Sequence, residues 1–223
     1  EGEHVSFGRM QFKDAKMSTR KGNIILLDEV LKEAVLRAAR LIEGKNPELH
    51  DRDNVARVVG IGAVKYNILS QNRSTNIVFD WDKMLSLDGN SAPYLQYSYA
   101  RARSILRKAE NWVGEDLVDD SLENSHELEN VEKKIREKIR ELSSSLAKFS
   151  EYLNLAAIEY KPNILCNYLF EVAQKFNSFY NSVPVLKVDD AEQRKYRLKI
   201  VLASSQVLKN GLKLLGVEVV EEM

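Results

Sequence analysis

The chain has 223 residues, 44% of them hydrophobic and 30% charged, and its 33 basic and 33 acidic side chains leave no net charge. The single cysteine, Cys166, excludes an internal disulfide and a zinc site built from several thiolates. No apolar run approaches the roughly 20 residues that a membrane-spanning helix needs, and the three histidines lack the spacing of metal ligands. We therefore expect a cytoplasmic protein with no membrane contact and no metal site.

The first unusual stretch is KMSTRKGN, residues 16–23, which combines three cations with a serine and a threonine. One interpretation is a loop that closes on phosphate groups. The ordinary interpretation is an exposed basic turn. Because such turns are common on protein surfaces, the stretch alone favours the ordinary interpretation.

From Asp28 onward, apolar residues recur at steps of three and four, which predicts helices. A first helix is expected to begin with Asp28 as its N-cap and to end at Gly44, and a second begins with Asp51 as its cap. Two glycines inside the second helix, Gly60 and Gly62, indicate close packing against a neighbouring element.

Four more helices are predicted further along the chain. Pro93 is placed to open one of them, and residues 126–153 carry an apolar stripe along one long amphipathic helix. Pro162 opens the next, which ends before Pro184 and carries an apolar stripe of Leu165, Leu169, Val172, Phe176 and Phe179. A last helix follows. Outside residues 23–27 we find no strand alternation. The sequence therefore predicts an all-α fold, a helical bundle with a short irregular N-terminal lead-in.

Charged residues are segregated along the chain. Eight acidic side chains and no cation lie within residues 115–132, whereas six cations and no acid lie within residues 194–213. Such patches attract polyanions even on a protein without net charge. Solvated helix faces carry the same pattern, so charge alone does not decide between these interpretations.

The segment PYLQYSYARARSILRK, residues 93–108, interleaves tyrosines with cations. Tyrosine rings stack on unpaired bases while cations contact phosphates, although buried tyrosines beside solvated arginines are an equal expectation. Tyr94, Tyr97 and Arg101 lie three and four residues apart and so share one helix face. In the later segment FNSFYNSVPVL, Tyr180 falls off the apolar stripe, which is typical of a packing cap or a stacking platform.

Together these segments resemble arginyl-tRNA synthetases. KMSTRKGN, then GAVKYNILSQNRSTNIVFDWDKMLSLDGNSAPYLQYSYARARSIL, then FNSFYNSVPVL and the ending LGVEVVEEM occur in the order typical of that family. The resemblance covers nearly the whole chain and implies a class I enzyme that attaches arginine to tRNA(Arg) with ATP.

The resemblance divides the chain into three parts. Residues 1–27 would be the KMSKS-type loop remnant of a catalytic domain, residues 28–91 the linking helices, and residues 92–223 an anticodon-binding helical bundle of the DALR type. We expect the chain to be the C-terminal part of a synthetase, inactive and without a cofactor on its own, and monomeric. Arginine and ATP, as Mg-ATP, would bind through the catalytic domain of the full-length enzyme.

The resemblance also implies site residues. The loop that would close over ATP consists of Lys16, Met17, Ser18, Thr19, Arg20 and Lys21, with catalytic roles for Lys16, Ser18 and Arg20. Thr19 stands where the family motif has its second lysine. The residues implied in tRNA binding are Asn90, Tyr94, Gln96, Tyr97, Arg101, Tyr180 and Met223. Arg103 and the cations of residues 194–213 would position the phosphate backbone.

Two alternatives stay open at this point. Related helical anticodon-binding domains occur in some glycyl and cysteinyl synthetases, although the central segment is of the arginyl type. A helical scaffold for a protein partner is the other alternative, and it would show no RNA affinity and an exposed apolar patch.

Overall fold

The computed structural model describes residues 2–12, 26–109, 133–188 and 190–223. The helices in these ranges are α1 Leu27–Lys45, α2 Arg52–Ser70, α3 Trp81–Met84, α4 Ala92–Lys108, α5 Lys133–Ala147, α6 Phe149–Ile158, α7 Pro162–Ser182 and α8 Ala191–Leu214. Two short strands accompany them, β1 Met10–Phe12 and β2 Ile77–Phe79. The predicted all-α helical bundle is confirmed. None of the helices described is both long and apolar enough to cross a bilayer.

The two strands form a small parallel sheet that the sequence did not predict. Met10 pairs with Ile77, and Phe12 pairs with Phe79. Each strand is only three residues long, so neither is long enough to show the alternation by which strands are recognised. Ile77 and Phe79 are buried beside α1 and α2, so the sheet closes one end of this helix pair.

Helix α1 begins two residues earlier than predicted and without Asp28 as its cap. Leu26 occupies the N-cap position, and its backbone N–H donates to the Glu29 carboxylate at 3.2 Å. Asp28 lies in the first turn instead, where it pairs with Lys32 at 2.6 Å. Acidic residues in a first turn are favoured by the helix dipole, so the acid at this position marks the helix start without capping it.

The predicted close packing at the glycines of α2 is confirmed. A Cβ atom on Gly60 would lie 2.7 Å from the backbone nitrogen of Val35 and 2.8 Å from the carbonyl oxygen of Ala34, both in α1. A Cβ atom on Gly62 would lie 2.9 Å from Nε2 of Gln96 in α4 and 3.1 Å from a methyl group of Val217. Helix α2 therefore lies in close contact with α1 on one side and with α4 on the other.

Helix α4 lies at the centre of the bundle and packs on α2, α7 and α8. Pro93 lies in the first turn of α4, as predicted. The Ser91 hydroxyl caps the helix by accepting from the backbone N–H of Tyr94 at 3.3 Å. The stripe predicted along α7 is buried in the core around α4. Its members are Leu165, Leu169, Val172, Phe176 and Phe179.

The single long helix predicted over residues 126–153 is wrong in its described part, because the chain forms α5 and α6 with a break at Lys148. The carbonyl oxygen of Ser145 accepts from the Tyr168 hydroxyl at 2.9 Å and from the backbone N–H of Lys148 at 3.1 Å. These bonds close a tighter turn at the point where a continuous helix would bond Ser145 to Phe149. Residues 126–132 lie outside the described ranges.

Residues 216–223, called here the C-terminal tail, fold back over α2 and α4. Gly216 adopts a positive φ of 70°, which ends α8, and its carbonyl accepts from the Lys65 ammonium at 2.7 Å. Val217 is buried in the core of the bundle, whereas Val220 is buried between α1 and α2. The tail thus fastens the α1–α2 pair to the rest of the bundle.

Gly60→Ala should destabilise the protein, because the new methyl group would meet backbone atoms that cannot move aside. We expect a loss of about 1–3 kcal/mol, which is typical of overpacking. Gly44→Ala is the matched control, since Gly44 lies within α1 and a Cβ there meets no atom within 4 Å. That control should stabilise by roughly 0.4–1 kcal/mol. Chemical denaturation measures both variants, and two shifts of the same sign would contradict the packing described.

We expect the free energy of unfolding to fall at alkaline pH because of Tyr99. Burial, together with the hydrogen bond to Glu221, raises the pKa of Tyr99 to about 12, against about 10 in an unfolded chain. Below pH 10 the raised pKa makes its full contribution to the free energy of unfolding. This contribution is lost as the pH rises towards 12, because the unfolded state releases the proton first. Melting temperatures recorded against pH should fall less steeply for Tyr99→Phe than for the wild type. Parallel curves would contradict this assignment.

Candidate nucleic-acid interface

A groove of about 700 Å³ opens where the end of α1, the outer face of α4, the α7–α8 connection and the C-terminal tail meet. Four residues implied in tRNA binding line it, namely Tyr97, Arg101, Tyr180 and Met223. Three more cations line the same groove, Arg107, Lys108 and Lys187. The structure thus brings together residues that lie more than one hundred positions apart in the sequence.

The guanidinium group of Arg101 lies between two tyrosine rings of the groove. Its central carbon is 4.7 Å from the ring centroid of Tyr97 and 4.7 Å from that of Tyr180. One of its nitrogens, Nη2, also donates to the Tyr97 hydroxyl at 3.2 Å. Because a cation is attracted to the face of each ring, this stack holds the Tyr180 ring in a defined orientation.

Tyr180 reaches the groove because it falls off the buried stripe of α7. Phe176 and Phe179 are fully buried, whereas Tyr180 is 41% exposed. Helix α7 ends two residues later at Ser182, and Pro184 follows, so Tyr180 lies in the last turn. The predicted position of this side chain, off the core stripe at a helix end, is confirmed.

Asn177 connects Arg101 to Tyr94 and was not predicted from the sequence. Its Oδ1 accepts from Nη1 of Arg101 at 2.5 Å, and its Nδ2 donates to the hydroxyl groups of Tyr94 at 3.0 Å and Ser98 at 2.8 Å. Asn177 precedes Tyr180 by three residues and therefore shares a face of α7 with it. That spacing is the signal that could have indicated its role.

Gln96 departs from the expectation of a base contact. The side chain is fully buried, and its Nε2 donates to the backbone carbonyl of Glu218 at 2.8 Å and to that of Val58 at 3.4 Å. On α4 it precedes Tyr97 by one residue, which turns it about 100° away from the groove. Gln96 therefore holds the C-terminal tail against α2 from inside the core, where no base reaches it.

Asn90 is exposed but lies away from the groove. Its Nδ2 donates to Asn167 of α7 at 3.0 Å, and its Oδ1 accepts from the Tyr66 hydroxyl at 2.6 Å. Asn167 and Tyr180 are 13 residues apart on α7, which corresponds to about 20 Å at 1.5 Å per residue. Asn90 lines a separate cavity of about 520 Å³.

Arg103 and Arg107 are already paired with acids of the C-terminal tail. Nε of Arg103 lies 2.7 Å from a carboxylate oxygen of Glu221, and Nη2 of Arg107 lies 2.9 Å from one of Glu222. Arg103 and Tyr99 both bond the Glu221 carboxylate and favour its ionised form, and the pKa of this group lies below its usual value despite the cost of burial. The Glu221 carboxylate thus competes with an RNA phosphate for Arg103, which was expected to position the RNA backbone.

The basic run of residues 194–213 differs in part from the expected phosphate-binding face. Arg197 is buried, which lowers the pKa of its guanidinium group, and it donates to the carbonyl of Pro184 at 2.8 Å. Arg194 donates to the carbonyl of Val188 at 2.7 Å. These two arginines fix the connection between α7 and α8, whereas Lys209 and Lys213 stay exposed.

The predicted ATP loop, residues 16–21, lies outside the described residues, so its catalytic roles stay predictions. Within the ranges that the structure describes, no group of three His, Cys, Asp or Glu side chains is placed to hold a metal ion.

Comparisons with known proteins identify relatives in sequence and in fold. The arginine–tRNA ligase of Clostridium beijerinckii is 45% identical over 220 residues, which is 99% of this chain and 37% of the relative. A solved structure of arginyl-tRNA synthetase from Thermus thermophilus superposes with a TM-score of 0.84 at 32% identity, covering 99% of this chain and 35% of that one. The arginyl-tRNA synthetase of Plasmodium falciparum gives a TM-score of 0.72 at 25% identity, with the same coverage of each chain.

The resemblance to arginyl-tRNA synthetases is therefore confirmed, and the chain spans just over a third of the length of the relatives it matches. A family model described as tRNA synthetases class I (R), catalytic domain, matches residues 1–81. The model described as DALR anticodon binding domain matches residues 95–223, more than half of the chain. On this match the chain belongs to the DALR anticodon-binding domain family.

Proposed function

We propose that this chain recognises the anticodon of tRNA(Arg) as the C-terminal part of a cytoplasmic arginine–tRNA ligase. The observation that carries the proposal is the groove in which Arg101 lies between Tyr97 and Tyr180 and which Met223 also lines. An unstacked anticodon base needs a flat partner for its face and donors for its edge, and this groove offers both.

The stack on Arg101 prepares the groove for a base. Tyr180 is held from one side by the guanidinium group, so less rotational freedom of the ring is lost when a base stacks on the side that faces solvent. Arg101 is itself held by Asn177 and by the Tyr97 hydroxyl. Lys108 and Lys187 at the rim would contact the phosphates next to the bound base.

Asn90 would contribute a second contact, about 20 Å from the Tyr180 groove. A separation of that size exceeds the reach of one nucleotide, so Asn90 would meet a different part of the anticodon arm. Tyr94 is half-buried behind Asn177 and would support the groove without touching the RNA. Of the seven residues implied in tRNA binding, we thus propose Asn90, Tyr97, Arg101, Tyr180 and Met223 as direct contacts.

The remaining partners of the enzyme follow from the catalytic-domain match. Arginine and Mg-ATP would bind to the catalytic domain, and Lys16, Ser18 and Arg20 would lie on the loop that closes over the triphosphate. Cations placed where phosphate charge develops stabilise the transition state of activation. The matched family models and the relatives named above favour an arginine enzyme over the glycyl and cysteinyl alternatives.

Tyr180→Ala should weaken binding of the arginine-tRNA anticodon stem-loop by about 5- to 150-fold, because a stacked base is worth roughly 1–3 kcal/mol. The melting temperature should change little, since the side chain lies outside the core. Tyr160→Ala is the matched control, because Tyr160 has a similar exposure of 47% and lies at the opposite end of α7. Fluorescence anisotropy with labelled stem-loop measures the affinities.

Tyr180→Phe should lose less affinity than Tyr180→Ala, because the ring face survives and only the hydroxyl is removed. Equal losses for Tyr180→Ala and Tyr160→Ala would contradict stacking on Tyr180. A collapsed melting temperature in Tyr180→Ala would show that the ring supports the fold, as deletion of a core aromatic does.

RNA binding should also depend on salt. If about four phosphates are neutralised, the logarithm of the affinity should fall against the logarithm of the salt concentration with a slope of about −3. Stem-loop titrations at several salt concentrations give this slope. A flat response would favour a protein-interaction scaffold, since that alternative needs no phosphate contacts.

A further inference from the structure

The side chain of Glu221 is bound by one face of α4. The Tyr99 hydroxyl donates to its Oε1 at 2.7 Å, and Nε of Arg103 donates to its Oε2 at 2.7 Å. One turn further along α4, Nη1 of Arg107 donates to the backbone carbonyl of Glu221 at 3.0 Å. Tyr99, Arg103 and Arg107 are spaced by four residues, so the three donors form one row along the helix.

Glu221 lies between a buried anchor and a residue of the groove. Val220 precedes it and is buried between α1 and α2, whereas Met223 lies two residues further on and lines the groove beside Tyr180. The chain bends at Glu221, and Met223 also packs against the core between α1 and α2. The contacts of Glu221 therefore help to set the direction in which the tail reaches the groove. Loss of the two side-chain contacts would leave Arg107, which bonds the Glu221 carbonyl and the Glu222 carboxylate, to connect the end of the tail to α4.

The carboxylate of Glu221 also occupies a guanidinium group that could otherwise bind phosphate. Carboxylate and phosphate accept from arginine in the same way, through charge-assisted hydrogen bonds. The pair of Glu221 and Arg103 is partly exposed, so water and ions reach it. An RNA phosphate that approached Arg103 would therefore compete with Glu221 for the same donor.

We propose that Glu221 is a positioning residue for anticodon recognition. It holds Met223 in the groove and at the same time occupies Arg103, so that this face of α4 contributes to reading a base and not to sequence-independent phosphate binding. This inference rests on the proposed function, because it assumes that the groove binds an anticodon base.

Glu221→Gln tests the proposal, and Glu218→Gln is its matched control. Both changes remove one negative charge from the C-terminal tail. The Glu218 carboxylate, however, meets only Arg57 at 3.9 Å among the ion pairs of the described residues, away from the groove. Every arginine codon has guanine at its second position, so every arginine anticodon has cytosine in the middle. The two RNA probes are therefore an arginine anticodon stem-loop and the same stem-loop with guanosine at that middle position.

We expect two changes in Glu221→Gln that Glu218→Gln does not show. The ratio of affinities for the two stem-loops should fall by about 5-fold or more, because the tail that places Met223 in the groove loses two of its contacts with α4. The salt slope should become steeper by about 0.7, the value for one additional phosphate on a single strand, because Arg103 is released. The affinity for the guanosine stem-loop should rise at low salt.

The other outcomes overturn the proposal in distinguishable ways. Identical ratios and slopes for the two variants would show that Glu221 contributes only charge. A lower melting temperature with equal losses for both stem-loops and an unchanged slope would show a purely structural role. A wild-type chain that does not distinguish the two stem-loops would contradict the proposed function, and the role of Glu221 with it.

Discussion

The close contact of α2 with α1 and α4 is the constraint on which the rest of the structure depends. Gly60 meets backbone atoms of α1, and Gly62 meets Gln96 and Val217. Without side chains at these two positions, α2 lies near enough to α4 for the buried Gln96 amide to reach both the Val58 carbonyl and the tail. The placement of the tail therefore depends on glycine, which has no side chain, at these two positions.

The C-terminal tail turns this packing into a site. Val217 belongs to the core of the bundle, Val220 belongs to the core between α1 and α2, and Met223 lines the groove. Seven residues thus contact three different regions in succession. The groove therefore forms only when the α1–α2 pair is packed against the rest of the bundle. The stability of the fold and the shape of the site depend on the same contacts.

The long helices could be predicted from the sequence because their apolar stripes are local patterns, and the position of Tyr180 followed from the stripe of α7. The break at Lys148 could not be predicted, because the hydroxyl that donates to the Ser145 carbonyl comes from Tyr168 on another helix. For the same reason the burial of Gln96, a residue implied in tRNA binding, could not be predicted. Its burial is caused by the tail, which lies more than one hundred residues away in the sequence.

The arginines show why a count of charges did not identify the nucleic-acid surface. Arg101 stacks between two tyrosines, Arg103 is paired with Glu221, and Arg197 is buried beneath the α7–α8 connection. The same guanidinium group thus orients a ring, holds a tail or fixes a loop, according to the acceptors around it. For a chain with no net charge, affinity for a polyanion depends on which cations are left without an internal partner. That property is set by the folded contacts, and the acids of the C-terminal tail are as important to it as the basic residues themselves.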